Sequence, residues 1–276
     1  MTSTRIAVTG VLGRMGRLVT ALAEEAGCVV VAALERDEHP QLGQSLAALG
    51  VLEPDAAGAE VPLGALSQGF AEQGVDVCID FTLPAAFTTV LAACRQAGCS
   101  LVSGTTGLDA SQEALLDEAA GEIPVLHATN FSLGVALLAQ LSRLAAVALD
   151  EGYEIEIVEA HHGRKVDAPS GTAKTLAQTV AEARDQHLDK VARHGREGQL
   201  GTRSREEIGV HAVRGGSVVG EHTVHFLGPD ERLELTHRAA SREIFVRGAL
   251  RCARWMAGKP PRRYTVAEVI APNQPG

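Results

Sequence analysis

One stretch of the chain concentrates side chains that bind anions and exchange protons. Four of five consecutive positions carry potentially cationic groups: His161, His162, Arg164 and Lys165. A Pro-Ser-Gly-Thr run at 169–172 follows and is predicted to open a helix. Free N–H groups at a helix N-terminus, with the Ser170 or Thr172 hydroxyl, favour an anionic substrate, above all a carboxylate. The alternative is a solvated basic turn with an ordinary helix cap.

The two adjacent histidines are predicted to do different work. Neighbouring side chains on an extended backbone point to opposite sides, so one of His161 and His162 can donate a proton while the other binds.

A second group of residues has the chemistry for holding a dinucleotide. Gly10, Gly13 and Gly16 are spaced GxxGxxG where a predicted strand ends and a helix begins. Such a turn lets a pyrophosphate approach the backbone at a helix N-terminus. Glu35, at the end of the second strand, can accept hydrogen bonds from a ribose, and Arg36 can pair with a 2′-phosphate. The pattern predicts a site for NADH or NADPH.

Two later loops lie on the same side of the predicted sheet. Residues 103–107 and 128–131 each follow a short strand, and ligands bind at the carboxyl ends of strands in doubly wound sheets. Read alone, each loop is a turn, but this position makes both candidates for contact with a nicotinamide and its ribose.

The elements that must position these residues alternate in the first half of the chain. Strands are predicted at 6–9, 29–34, 75–81, 101–103 and 124–127. Helices are predicted at 15–26, 85–97 and 111–120. This order indicates βαβ units, hence a Rossmann-like, doubly wound parallel sheet.

The pattern changes after about residue 131. A helix at 134–149, a strand at 153–160 and a helix at 172–184 are followed by strands at 207–213, 218–227 and 231–238. Strands in succession favour an antiparallel or mixed sheet in a second, α+β domain. A last helix is predicted at 242–257.

Composition narrows the class of protein. Hydrophobic residues make up 45% of the 276 residues, and no apolar run is long enough for a membrane span. The net charge of −9, without a basic tract, argues against nucleic acid as a partner. The chain passes directly from Met1 into a strand, so we expect cytoplasmic residence.

Cysteine and histidine spacing predicts no metal site. Five cysteines without a CxxC pair are expected to be buried free thiols. His222 and His225 lie three apart on a predicted strand, hence on opposite faces, and are expected to be structural or surface residues.

Taken together, the motifs resemble the bacterial 4-hydroxy-tetrahydrodipicolinate reductases, also called dihydrodipicolinate reductases. The resemblance is carried, in the family's order, by GVLGRMG at 10–16, LER at 34–36, IDFT at 79–82, GTTG at 104–107, ATNFSLGV at 128–135, EAHHGRKVDAPSGTA at 159–173 and VVGEHTVHF at 218–226. It implies a dinucleotide-binding domain of residues 1–131 and 241–276, and an inserted domain, 132–240, that binds substrate and assembles a homotetramer. Leu12 is bulkier than the residue at that position in some members.

The resemblance also implies an activity and roles for residues. The reaction is NAD(P)H-dependent reduction of 4-hydroxy-tetrahydrodipicolinate to tetrahydrodipicolinate with loss of water. His161 resembles the general acid or base and Lys165 its proton-donating partner, while the substrate contacts are His162, Ser170, Gly171 and Thr172. The cofactor contacts are Gly10, Val11, Leu12, Gly13, Arg14, Met15, Glu35, Arg36, Gly104, Thr105, Thr106, Ala128, Thr129, Asn130 and Phe131.

Two other functions fit the same residues. One is a different two-domain nicotinamide-dependent dehydrogenase, acting on a small amino acid or aldehyde. The other is a catalytically silent NAD(P)-binding regulator, which would bind the cofactor without turnover.

Overall fold

The computed structural model describes residues 3–149 and 152–271. The chain divides into two compact units, Met1–Ser132 with Glu243–Gly276, and Leu133–Arg242.

The first unit is built on a seven-stranded sheet, every neighbouring pair of which is parallel. Its strands are β1 (Thr4–Thr9), β2 (Cys28–Glu35), β3 (Leu63–Ala65), β4 (Val77–Asp80), β5 (Ser100–Ser103), β6 (Pro124–His127) and β12 (Arg262–Tyr264). Their order in the sheet is β12-β6-β5-β4-β1-β2-β3. The predicted parallel, Rossmann-like sheet is confirmed, although sequence periodicity missed β3 and β12 because three residues are too few to show a period.

Helices cover the sheet on both sides. They are α1 (Arg14–Ala23), α2 (Pro84–Ala97), α3 (Ala110–Ala119), α7 (Glu243–Met256) and α8 (Val266–Ile270). Helices α2 and α3 pack together over one apolar cluster of the strands, while α1 and α7 pack together and against strands β1, β4 and β5. All five cysteines are buried free thiols, as predicted.

The second unit has a five-stranded mixed sheet in the order β11-β10-β7-β9-β8. The strands are β7 (Glu154–His161), β8 (Ala192–Arg193), β9 (Ile208–Arg214), β10 (Glu221–Leu227) and β11 (Arg232–Arg238). Strand β10 runs antiparallel to β7 and β11, whereas β7 is parallel to β9 because the chain crosses over through a helix between them. The helices are α4 (Leu133–Ala148), α5 (Gly171–Ala183) and α6 (Leu188–Val191).

The two faces of this sheet differ in character. Ile155 and Ile157 point into a core closed by α4 and α5. On the opposite face, the Glu156 carboxylate contacts Arg196 at 2.7 Å, Arg203 at 2.9 Å and His211 Nε2 at 2.7 Å. Burial alone would raise the pKa of Glu156, but these hydrogen bonds outweigh it and lower the pKa to about 2.

Candidate active site

The glycine turn joins β1 to α1 as the sequence predicts. Gly10 follows the last residue of β1, and the Gly13 amide donates to the Gly10 carbonyl at 2.9 Å. Gly13 is the N-cap of α1 and provides no side-chain hydrogen bond, so no side chain caps the first amides of the helix. A Cβ atom on Gly16 would lie 2.2 Å from the Gly10 carbonyl oxygen, which explains the third glycine. The turn therefore has the backbone form that a pyrophosphate requires.

Glu35 lies beside this turn. Its carboxylate accepts a hydrogen bond from the Leu12 amide at 3.1 Å, so the end of β2 and the glycine turn are linked directly. Arg36, the next residue, is exposed. The carboxylate and the guanidinium have the chemistry to contact a ribose and a 2′-phosphate respectively.

A buried carboxylate that sequence reasoning missed organises the neighbouring loops. Asp80, the last residue of β4, is fully buried. It accepts hydroxyl hydrogen bonds from Thr9 at 2.9 Å, Thr82 at 2.6 Å, Ser103 at 2.7 Å and Thr105 at 2.8 Å. These donors come from the ends of β1, β4 and β5 and from the loop after β5, so one side chain fixes three strand ends.

The two predicted nicotinamide loops are held by backbone hydrogen bonds. The Gly104 amide donates to the Asp80 carbonyl at 2.8 Å, and the Ala128 amide donates to the Ser103 carbonyl at 3.0 Å. Phe131 is buried, and its ring meets that of Phe81 edge to face at 5.7 Å between centroids. Thr105 turns its hydroxyl inward to Asp80, whereas Thr106 and Thr129 are exposed.

The second unit gathers the histidine-rich residues around a buried carboxylate, Glu159, on β7. Alternation along β7 places Glu159 on the core face and His161 two residues later on the same face. His161 Nδ1 lies 2.6 Å from one Glu159 oxygen. Arg214, at the end of β9, donates to both Glu159 oxygens at 2.7 Å, and the Ser170 amide donates to one at 3.0 Å. Burial would raise the pKa of Glu159, but the hydrogen bonds from Arg214 and His161 keep it below its ordinary value.

Ser170 joins this cluster to helix α5. It is the N-cap of the helix, and its hydroxyl accepts a hydrogen bond from the Ala173 amide at 3.2 Å. The same hydroxyl lies 3.1 Å from His222 Nε2. Burial lowers the pKa of His222 to about 4, so this imidazole is neutral near pH 7. His225, as predicted, lies on the opposite face of β10, 3.5 Å from Glu234.

The remaining predicted residues lie along the same loop. The Lys165 ammonium is 2.8 Å from the Asp167 carboxylate. His162 is half-buried, and its backbone amide donates to the Val218 carbonyl at 2.8 Å. Gly171 and Thr172 are the first two residues of α5 and follow this loop directly.

Within residues 3–149 and 152–271, no helix is both long and apolar enough to cross a membrane. No group of three or more histidine, cysteine, aspartate or glutamate side chains there has the arrangement to hold a metal ion.

Comparison with known proteins identifies the family. The model for "Dihydrodipicolinate reductase, N-terminus" matches residues 4–131, and the one for the C-terminus matches residues 134–270. A 4-hydroxy-tetrahydrodipicolinate reductase from Alkalilimnicola ehrlichii is 48% identical, over 97% of this chain and 99% of the relative. One from Thiobacillus denitrificans is 46% identical, over 97% and 98%.

A solved structure agrees with this result. The "Dipicolinate bound Dihydrodipicolinate reductase from Paenisporosarcina sp. TG-14" superposes with a TM-score of 0.72 at 26% identity, covering 97% of this chain and 99% of that chain. The expected family and fold class are thus confirmed, and the chain belongs to the dihydrodipicolinate reductase family.

Proposed function

We propose that this protein reduces 4-hydroxy-tetrahydrodipicolinate to tetrahydrodipicolinate, with loss of water, in diaminopimelate and lysine biosynthesis. The observation that carries the proposal is His161, held by the buried Glu159 at 2.6 Å, in a chain whose full-length relatives are named for this reaction. The structurally similar reductase is described as bound to dipicolinate, a dicarboxylate.

The second unit supplies the substrate contacts. His162, Ser170, Gly171 and Thr172 bind the carboxylates, supported by the position of the last three at the N-terminus of α5. His161 exchanges the proton. Lys165 is its proton-donating partner, and an ion pair with Asp167 holds it in the same loop. Negative charge that develops on the substrate ring is neutralised by these protonated groups.

The first unit holds the nicotinamide cofactor, which supplies the hydride. The glycine turn and α1 provide pyrophosphate contacts through Gly10, Val11, Leu12, Gly13, Arg14 and Met15. Glu35 and Arg36 contact the adenosine ribose, so that both NADH and NADPH are used. The nicotinamide side is bordered by Gly104, Thr105, Thr106, Ala128, Thr129, Asn130 and Phe131.

The active protein is a cytoplasmic homotetramer in this proposal. Its support is the family, together with the face of the five-stranded sheet opposite α4 and α5. Exposed Val213 lies on that face, next to Ala160 in the β7–β9 pairing.

The two alternative functions are not favoured. A different dehydrogenase or a silent regulator would share the glycine turn, but neither requires the match of both family models along 4–131 and 134–270.

The test is cofactor oxidation by the purified full-length chain. Supplied with the condensation product of pyruvate and aspartate semialdehyde, the protein should oxidise NADH and NADPH, and the His161→Gln variant should do so far more slowly. Oxidation of neither cofactor would overturn the proposal, and turnover of amino acids or aldehydes instead would establish the first alternative.

A further inference from the structure

We propose that Glu159 is a positioning residue that fixes the tautomer of His161, and that Gly220 keeps the opposite ring nitrogen, Nε2, accessible for proton exchange. The inference rests on the proposed role of His161 and extends it to a specific atom.

The first step is the state of Glu159. Arg214 donates to both of its oxygens at 2.7 Å, and the Ser170 amide donates to one at 3.0 Å. All three hydrogen bonds require Glu159 to accept, so the side chain remains a carboxylate. A carboxylate can only accept, and His161 Nδ1 at 2.6 Å must therefore carry the proton. This leaves Nε2 as the atom that gains and loses a proton, the arrangement by which carboxylates orient functional histidines.

The second step is the space around Nε2. Among the residues that the structure describes, no hydrogen bond reaches this atom of His161. A Cβ atom on Gly220 would lie 3.0 Å from it, the distance that a hydrogen-bond partner takes. Gly220 precedes β10, and its backbone does not have a positive φ, so alanine fits the backbone conformation and its methyl group would press on Nε2 of the ring. The absence of a side chain at 220 thus keeps the proton-exchanging nitrogen open.

The third step is the neighbouring ring. His222 meets His161 edge to face, with centroids 5.2 Å apart, and is itself bound to Ser170. Because buried His222 is neutral near pH 7, it supports the His161 ring without repelling a positive charge on it. Glu159 and His222, the latter held by Ser170, therefore fix the His161 ring on two sides and leave Nε2 accessible.

The experiment uses ¹⁵N-histidine NMR of the full-length chain at about pH 8.5, two units above the ordinary histidine pKa, with His161→Gln assigning the signal. In the unmodified protein we expect His161 protonated at Nδ1. In Glu159→Gln, Arg214 and the Ser170 amide take the single amide oxygen, so the NH₂ group faces Nδ1 and the proton moves to Nε2. We expect kcat to fall by about 10- to 100-fold.

Glu156→Gln is the matched control, because Glu156 also contacts a histidine and two arginines but lies on the other face of β7. It should leave the His161 tautomer unchanged. If Glu159→Gln also leaves the tautomer and kcat unchanged, the positioning role is wrong. If the tautomer changes but the unmodified protein reduces no substrate, the proposed function fails while the role of Glu159 in fixing the ring stands.

Gly220→Ala tests the second half of the proposal. It should lower kcat by about tenfold or more while the Nδ1 tautomer is retained, which separates blocked access from lost orientation. Gly215→Ala is its control, since a Cβ atom there meets nothing within 4 Å, and kcat should not change. Equal kcat values for Gly220→Ala and the unmodified protein would overturn the role of Gly220.

Discussion

At the scale of single residues, two buried carboxylates hold residues that are proposed to contact ligands. Glu159 is hydrogen-bonded to His161, and Asp80 is hydrogen-bonded to the loop that begins at Gly104. Both carboxylates are completely buried and fully hydrogen-bonded. Each therefore fixes the residues bound to it without needing to contact substrate itself.

His161→Gln should lower kcat at least about tenfold, because glutamine cannot exchange a proton and general acid–base groups contribute about 10² or more. Steady-state kinetics with saturating NADH measure the effect. His225→Gln, on the opposite face of the sheet, is the control and should match the unmodified protein. An unchanged kcat in His161→Gln would exclude this residue as the acid or base.

Arg36→Ala should raise KM for NADPH more than KM for NADH, because only NADPH has a 2′-phosphate for the guanidinium to pair with. The ratio of kcat/KM for the two cofactors is the measurement, and NADH serves as the internal control. Equal effects on both cofactors would show that Arg36 does not contact the 2′-phosphate.

At the scale of elements, the ends of parallel strands position the candidate cofactor site. Threonine and serine hydroxyls from three strand ends converge on Asp80, so the loops have a common anchor. The elements themselves were predictable: each strand and helix expected from periodicity is present, with ends shifted by a few residues at most. Long periodic segments carry enough signal for that.

The partners of the site residues were less predictable. Glu159 could have been found from the alternation Ile155, Ile157, Glu159, which puts a carboxylate in a core position two residues before His161. Arg214 and His222 could not, because they come from strands more than 50 residues further along the chain. Their approach depends on β9 and β10 both pairing with β7, and the pattern within one strand does not say which distant strands will be its neighbours.

Asp80→Asn tests the anchor. An asparagine has one acceptor oxygen in place of two and presents an NH₂ group to hydroxyls that now donate to the acid. We expect a loss of about 1–3 kcal/mol in the free energy of unfolding and a higher KM for both cofactors. Thermal unfolding and kinetics measure these, and the exposed Asp76→Asn, whose acid binds one backbone amide, is the matched control. A variant with normal KM values would show that the loops keep their position without Asp80.

At the scale of the whole molecule, buried titratable groups make the free energy of unfolding depend on pH. Burial lowers the pKa of His222 from 6.5 to about 4, so the unfolded chain binds a proton that the folded chain does not. The contribution of neutral, buried His222 to the free energy of unfolding is complete above pH 6.5 and is lost as the pH falls toward 4. It amounts to about 3 kcal/mol at about 1.4 kcal/mol per pH unit.

Urea unfolding between about pH 7 and pH 4.5 should therefore show a declining free energy, with a smaller slope in His222→Gln. Some slope will remain, because burial also lowers the pKa of His237. This pH interval lies above the range in which the Glu156 carboxylate, whose pKa is about 2 in the folded protein, becomes protonated and its contribution to stability is lost. Identical slopes in the variant and the unmodified protein would contradict the assignment to His222.

The proposed tetramer gives a prediction at the same scale. Val213→Asp places a charge on the face of the five-stranded sheet that α4 and α5 leave uncovered, so subunits that meet there should separate. Sedimentation velocity should show a mass below four subunits for the variant. Leu200→Asp, which also replaces an exposed apolar side chain but lies outside the strands, is the control. If Val213→Asp has the same mass in solution as the unmodified protein, the interface lies elsewhere.

The interrupted first unit also sets an order of folding during synthesis. Strand β12 and helix α7, which buries Val246, Leu250 and Met256 on the first unit's sheet, are made last. The second unit is continuous from 133 to 242 and is complete on the ribosome before them. Domains usually fold in order from the N-terminus, but here the inserted unit finishes first. Until α7 and β12 are made, the N-terminal sheet lacks one of its covering helices and its edge strand next to β6, so the first unit completes its core only after the inserted unit.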